Sequence, residues 1–118
     1  VMINKERRRG KSKVTLSTND AIYVFDEKEI VCCKGNIFSS EIYQLNGNVV
    51  RVNMPLDQIE AVINGEAFWR VGENDLINLN YLINVSGDGD QSVLMVNQYS
   101  IPIPEHRKTM LLEALSKL

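Results

Sequence analysis

The pair Asn46-Gly47 constrains this chain more than any other feature. Both residues tolerate positive φ, which a tight hairpin turn demands. The run 37–45 before it and Val49-Val50-Arg51-Val52 after it are rich in strand-forming side chains. The pair therefore predicts two antiparallel strands joined by a tight turn. Once that hairpin is placed, the rest of the chain reads in the same units. Val14-Thr15-Leu16-Ser17 alternates apolar and polar residues, the period of a half-buried strand. Asn19-Asp20 breaks it, and Ala21-Ile22-Tyr23-Val24-Phe25 resumes. After the polar stretch 26–29, residues 30–34 form a third strand, which Gly35-Asn36 can turn. Further on, Phe68-Trp69-Arg70-Val71 is a short strand or turn with two bulky anchors, and 72–75 is polar and loop-like. Residues 76–79 and 81–85 are apolar-rich, Gly87-Asp88-Gly89-Asp90 is a turn, and 93–96 with 99–103 reads as a hairpin about Asn97-Gln98.

Two stretches have helical period instead. Leu56, Ile59, Val62 and Ile63 share one face, with Pro55 and Asp57 at the start and Asn64-Gly65 as a stop. After Pro104, residues 105–118 form a second helix, with Met110 or Leu111, Leu115 and Leu118 on one face. The expected fold class is mostly β: several small antiparallel sheets with one short internal helix and a C-terminal helix. Phe68 and Trp69 are the expected anchors of the core, with Leu56 and Ile59 packing nearby.

The chain has 118 residues, the size of one domain. Its 44% hydrophobic and 24% charged residues exclude a disordered tail, and no apolar run approaches the roughly 20 residues of a membrane-spanning helix. It opens Val1-Met2-Ile3-Asn4, without an initiator Met, and reads as a piece of a longer protein. The net charge of −2 is unevenly spread. Residues 1–13 hold six cations against one acid, a net +5, and residues 14–118 hold seven cations against fourteen acids, a net −7. A basic linker or arm, 1–13, thus precedes an acidic domain, 14–118. Such an arm either meets phosphate or anionic lipid or is simply solvated.

Chemistry is sparse. Cys32 and Cys33 are adjacent, which suits neither a metal site nor a redox motif. In a strand they point to opposite faces, as small apolar fillers of a reduced, cytoplasmic protein. His106 is the single histidine and has no second ligand at metal spacing. The serines sit in no nucleophile elbow, no carboxylate pair stands out, and the 87–90 turn lacks the rest of a calcium loop. Nothing here points to an enzyme, a metal or another cofactor.

A resemblance carries the reading further. Met54-Pro55-Leu56-Asp57-Gln58-Ile59, then Phe68, Arg70, Val71, Ile77 and Asn78, then Ile101-Pro102-Ile103 leading into a basic helix, follow in the order and spacing of the LytTR family. That family is the DNA-binding output domain of many bacterial response regulators, and the resemblance covers about residues 14–118. Its hallmark is approximately F-x-R-V-H-R-S-x-x-V-N, with a later x-P-V-S-R-R. The resemblance implies a fold whose loops enter successive major grooves of duplex DNA. It also implies readout from three segments, which fall here on 34–39, 72–74 and 104–107.

The departures fall on those same segments. Gly72, Glu73 and Asn74 replace the family's His, Arg and Ser, and Pro104 and Glu105 replace a Ser and an Arg. The candidate DNA contacts are therefore Lys34, Asn36, Ser39, Glu73, Asn74, Glu105, His106, Arg107 and Lys108, with Arg7, Arg8 and Arg9 adding phosphate contacts from the arm. Asn36 and Asn74 are the base-reading candidates, because an Asn amide pairs bidentately with adenine. Two readings result. One is a DNA-binding effector domain of a transcriptional regulator, with an upstream receiver or sensory domain and a homodimer on DNA as further partners, and no membrane contact. The other is a protein-interaction module of the same fold that has lost most DNA affinity.

Overall fold

The computed structural model describes residues 13–63, 65–86 and 91–118. The arm 1–12, including Arg7, Arg8 and Arg9, and the 87–90 turn lie outside the described residues. In chain order the elements are β1 (Lys13–Ser17), β2 (Ile22–Asp26), β3 (Ile30–Gly35), β4 (Ser40–Gln44), β5 (Val49–Val52), α1 (Leu56–Val62), β6 (Phe68–Arg70), β7 (Asp75–Asn78), β8 (Leu82–Val85), β9 (Ser92–Met95), β10 (Ser100–Pro102) and α2 (Glu105–Ser116). They make three antiparallel sheets: the ribbon β1-β2, a central sheet in the order β5-β4-β3-β7-β6, and a three-stranded sheet β10-β9-β8. The mostly β fold class read from sequence is the one observed.

The central sheet separates two apolar layers. On one face Val14, Leu16 and Phe25 of the ribbon and Leu56 and Ile59 of α1 pack with Ile42 and Leu76. On the other, Val93, Met95 and Ile101 of the third sheet and Leu111 of α2 pack with Val71 and Ile77. Middle strand β3 is consequently buried on both faces from Ile30 to Cys33. Its register slips by one residue between Ile30 and Cys32 against β4. That bulge places Val31 and Cys32 in the same layer, while Ile30 and Cys33 lie in the other. The adjacent cysteines do face opposite ways. Burial pushes the Cys32 thiol up to about 12 and raises that of Cys33 too, so neither is a thiolate near neutral pH. Buried Asn78 donates to the Ile30 carbonyl at 3.0 Å.

Several local expectations need correction. Lys13 is not part of an arm: it opens β1, in register with Asp26 and 3.8 Å from its carboxylate. Of the Asn46-Gly47 pair only Gly47 has positive φ, at 89°. A three-residue loop, 45–47, closed by the Gly47 N–H donating to the Gln44 carbonyl at 3.0 Å and the Gln44 N–H to the Asn48 carbonyl at 2.9 Å, replaces the two-residue one. The paired left-handed residues occur instead at Asn97 and Gln98, with φ of 65° and 68°. Neither is glycine, and such a backbone costs a side-chain-bearing residue about 1 kcal/mol or more. The Asn97 amide offsets that cost by donating to the Gln44 and Leu45 carbonyls, which ties the third sheet to the β4–β5 turn.

Strand β4 begins at Ser40, not at 37, because residues 36–39 form a turn of their own. Val62 is 40% exposed and stands off the buried face of α1, while Met110 and Leu118 are exposed, so Leu111 alone is the fully buried anchor of α2. Phe68 and Trp69 are half-buried on edge strand β6 and separate into the two layers. Only Phe68 shares the layer of Leu56 and Ile59.

Candidate nucleic-acid interface

Three loops far apart in sequence are joined at one end of the molecule. The Gly35 N–H donates to the Asn74 carbonyl at 2.9 Å, linking the end of β3 to the β6–β7 turn. The Leu56 N–H donates to the Asn36 carbonyl at 3.1 Å, so the β3–β4 loop satisfies an orphan donor at the start of α1. Arg107, in the first turn of α2, reaches the other way. Its guanidinium donates to the Arg70 carbonyl and, at 3.3 Å, to the Val71 carbonyl, and lies 4.6 Å from the centre of the Trp69 ring. Of the three segments implied by the resemblance, 34–39 and 72–74 are thus bonded directly, and 104–107 is tied to the two residues that precede 72–74.

The β3–β4 loop is built from its own residues. Asn36 Oδ1 accepts the Phe38 N–H at 2.7 Å and the Ser39 N–H at 3.0 Å, and the Asn36 N–H donates to the Ser39 carbonyl at 3.0 Å. A bidentate pairing with adenine would have to compete for that same oxygen, so Asn36 shapes the loop in this structure. Gly35 is required where the loop starts: a Cβ there would stand 2.3 Å from Ser40 Oγ. That hydroxyl is buried and donates to the Met54 carbonyl at 2.8 Å. The tip of the loop carries Ile37 and Phe38, 74% and 75% exposed. Ser39 is half-buried, and its Oγ accepts from exposed Arg51 on β5 at 3.2 Å.

The β6–β7 turn is held by a neighbour. Arg70 Nε donates to the Gly72 carbonyl and Nη2 to the Glu73 carbonyl, both at 2.6 Å. Its Nη1 meets Asp57 at 2.8 Å and Glu60 at 2.7 Å, both on α1. Burial alone would lower the Arg70 pKa, but the hydrogen bonds to Asp57 and Glu60 outweigh it and raise the pKa above the ordinary value. Each of the three guanidinium nitrogens is engaged. Glu73 and Asn74 are exposed at the tip of the turn. Where the resemblance has histidine, Gly72 has nothing within 4 Å of a Cβ position.

The remaining candidates divide by surroundings. Lys34 is half-buried, in register between Glu41 on β4 and Asp75 on β7, with its Nζ 5.6 Å from the centre of the Tyr43 ring. Glu105 and His106 are exposed at the start of α2, and Lys108 is half-buried. Glu105 suits the positive end of the helix. This end is therefore not a basic patch: Asp57, Glu60, Glu73, Asp75 and Glu105 all lie on or beside it, while Arg70 and Arg107 are turned to protein carbonyls.

Sequence reasoning missed Arg51, the organising role of Arg70, and the two apolar tips. Arg51 gave no signal, since one cation in a strand is unremarkable until β5 is seen beside Ser39. Ile37 and Phe38 were absorbed into a strand that begins three residues later. A larger concavity of about 700 Å³ lies at the other end of α2, between Phe68, Trp69, Leu79, Tyr81, Ala114 and Leu118, away from these loops. No helix among the described residues is long and apolar enough to cross a membrane.

The family model of the LytTr DNA-binding domain matches residues 14–116. Among solved structures, the LytTr DNA-binding domain of a methyl-accepting/DNA response regulator from Bacillus cereus is similar in fold, with a TM-score of 0.70 and 16% identity over 88% of this chain and 96% of that one. No curated protein matches. The match to the family model spans nearly all the described residues, and the chain belongs to the LytTr DNA-binding domain family.

Proposed function

We propose that this chain is the DNA-binding effector domain of a bacterial transcriptional regulator of the two-component type. It reads duplex DNA through the 34–39 loop, the 72–74 turn and the start of α2. The observation that carries this reading is the hydrogen bonding of those three segments into one end, by Gly35 to Asn74 and by Arg107 to the end of β6. Family membership and the response-regulator description of the Bacillus cereus domain support it. Asn74, His106 and Lys108 are the side chains that contact DNA from this end, together with Glu73 and Glu105. Lys34, Asn36, Ser39 and Arg107 position them. Arg7, Arg8 and Arg9 add sequence-independent phosphate contacts, and an upstream receiver domain and a second copy on DNA complete the regulator.

Glu73 and Glu105 make the decisive test, because both stand where the resemblance has arginine and both are exposed. Glu73→Arg combined with Glu105→Arg leaves the fold intact. The change at position 105 gives up a favourable helix-start charge worth about 0.3–1 kcal/mol. The double variant binds duplex DNA more tightly at low salt. Its salt dependence steepens by about 0.9 in log–log slope for each phosphate newly neutralised. If the two glutamates accept hydrogen bonds from cytosine, the swap also erases preference for the selected site. A double variant that ignores duplex DNA at low salt contradicts the assignment of these loops to DNA.

A further inference from the structure

Ile37 and Phe38 are the most exposed large apolar side chains among the described residues, at 74% and 75%. Their position is not that of a loose loop. Two hydrogen bonds to Asn36 Oδ1 fix the backbone at Phe38 and Ser39, and the Asn36 N–H closes the turn on the Ser39 carbonyl. Bonds from Gly35 to Asn74 and from Leu56 to Asn36 fasten the loop to the β6–β7 turn and to α1. An apolar pair held outward by this many bonds forfeits little conformational entropy when it meets a partner. The polar groups around it are mostly committed: each nitrogen of Arg70 is engaged by Asp57, Glu60 or a carbonyl, and Asn36 Oδ1 by the loop. Arg51, bonded to Ser39, is an exposed cation beside the apolar tip.

Among the groups that base pairs present in the major groove, the C5-methyl of thymine is the one methyl group and the one that apolar side chains contact. A rigid apolar tip with a flanking arginine, on the DNA-reading end of a domain poor in free cations, has that methyl as its complementary feature. We infer that Ile37 and Phe38 are specificity-determining residues that pack on thymine methyl groups in the major groove, while Arg51 takes the adjacent phosphate. The inference rests on the proposed DNA-reading function and names the base feature that one loop reads.

The test uses the whole 118-residue chain and a duplex selected by that chain from a random pool. Each thymine is replaced in turn by deoxyuridine, which removes only the methyl group, and affinity is read by fluorescence anisotropy at low salt. At one or two positions the replacement weakens binding about three- to fivefold, the factor expected for one methyl-sized group returned to water. The double variant Ile37→Ala, Phe38→Ala binds the thymine and uracil duplexes equally, with an unchanged salt slope because no phosphate contact is lost. Both positions are exposed, so the fold is unaffected. Uracil at no position altering wild-type affinity overturns the inference, as does a double variant that keeps the wild-type thymine preference. Either result leaves duplex binding standing. Absence of any duplex binding overturns the proposed function as well. A double variant that loses self-association but binds DNA as before assigns the pair to a contact between copies and also overturns the inference.

Discussion

The two loops that meet at the interface are stabilised in opposite ways. The β3–β4 loop is closed by its own Asn36, and its tip is apolar. The β6–β7 turn is closed by the Val71 N–H donating to the Asp75 carbonyl at 2.9 Å but has no side-chain brace from its own tip: Arg70 holds it through the carbonyls of Gly72 and Glu73, and α1 holds Arg70 through Asp57 and Glu60. One loop is a local solution, legible over four residues. The other is a tertiary solution that depends on a helix thirteen positions earlier. The difference explains the charge paradox of this domain. Carboxylates at 57 and 60 engage the Arg70 cation in architecture, so the turn that carries Asn74 is held firmly by a cation that faces protein rather than solvent.

The comparison can be broken most drastically from beneath. Both loops hang from β3 and β7, and Ile77, fully buried and in register with Cys32, lies under that junction. Ile77→Ala should cost about 2–5 kcal/mol. Urea unfolding should show one transition, with both loops lost together. Arg70→Met should then separate them. It removes two charged hydrogen bonds to the turn and should cost about 1–3 kcal/mol, reduced by solvent screening at the exposed carboxylates. Amide exchange should accelerate at 72–74 and stay unchanged at Phe38 and Ser39. Asn36→Ala is the converse. Losing its two side-chain bonds should cost about 0.5–2 kcal/mol, with faster exchange at Phe38 and Ser39 while 72–74 keeps its protection.

The smallest expected effect concerns Asp75, which flanks both loops. Burial raises its carboxyl above the ordinary range, and Lys34 and Arg70 only partly pull it back. A carboxyl raised on folding holds its proton more tightly in the folded chain. Stability therefore falls as pH climbs from about 4 through its titration. Asp75→Asn should flatten that fall, visible as urea midpoints that differ less between pH 4 and pH 7 than in the parent.

Much of this was legible in the sequence where the determinants are local. The alternation of Val14 and Leu16 faces inward as its period requires, and Cys32 and Cys33, beyond the bulge in β3, divide between two layers as strand period predicts. The order of elements and the family were recoverable because short β-rich runs and spaced hallmark residues survive in one dimension. What was hidden is what depends on partners distant in sequence. Asn46-Gly47 is the strongest turn signal in the sequence, yet the two consecutive left-handed residues occur at Asn97-Gln98, where the Gln44 and Leu45 carbonyls accept from the Asn97 amide. Arg107 read as an outward cation, but Trp69 and two carbonyls of β6 turn it inward. Ile37 and Phe38 have strand-like character, and only the Asn36 turn takes them out of β4.

The central claim is that three loops, despite their acids, form one DNA-reading end. Amide chemical shifts of the labelled 118-residue chain, followed as the selected duplex is added, test it most directly. The account predicts that the largest changes fall at 36–39, 72–74 and 105–108, and that the β1-β2 ribbon and the concavity at the far end of α2 stay unmoved. Changes concentrated on the ribbon or around Phe68, Tyr81 and Leu118, with the three loops silent, would contradict it.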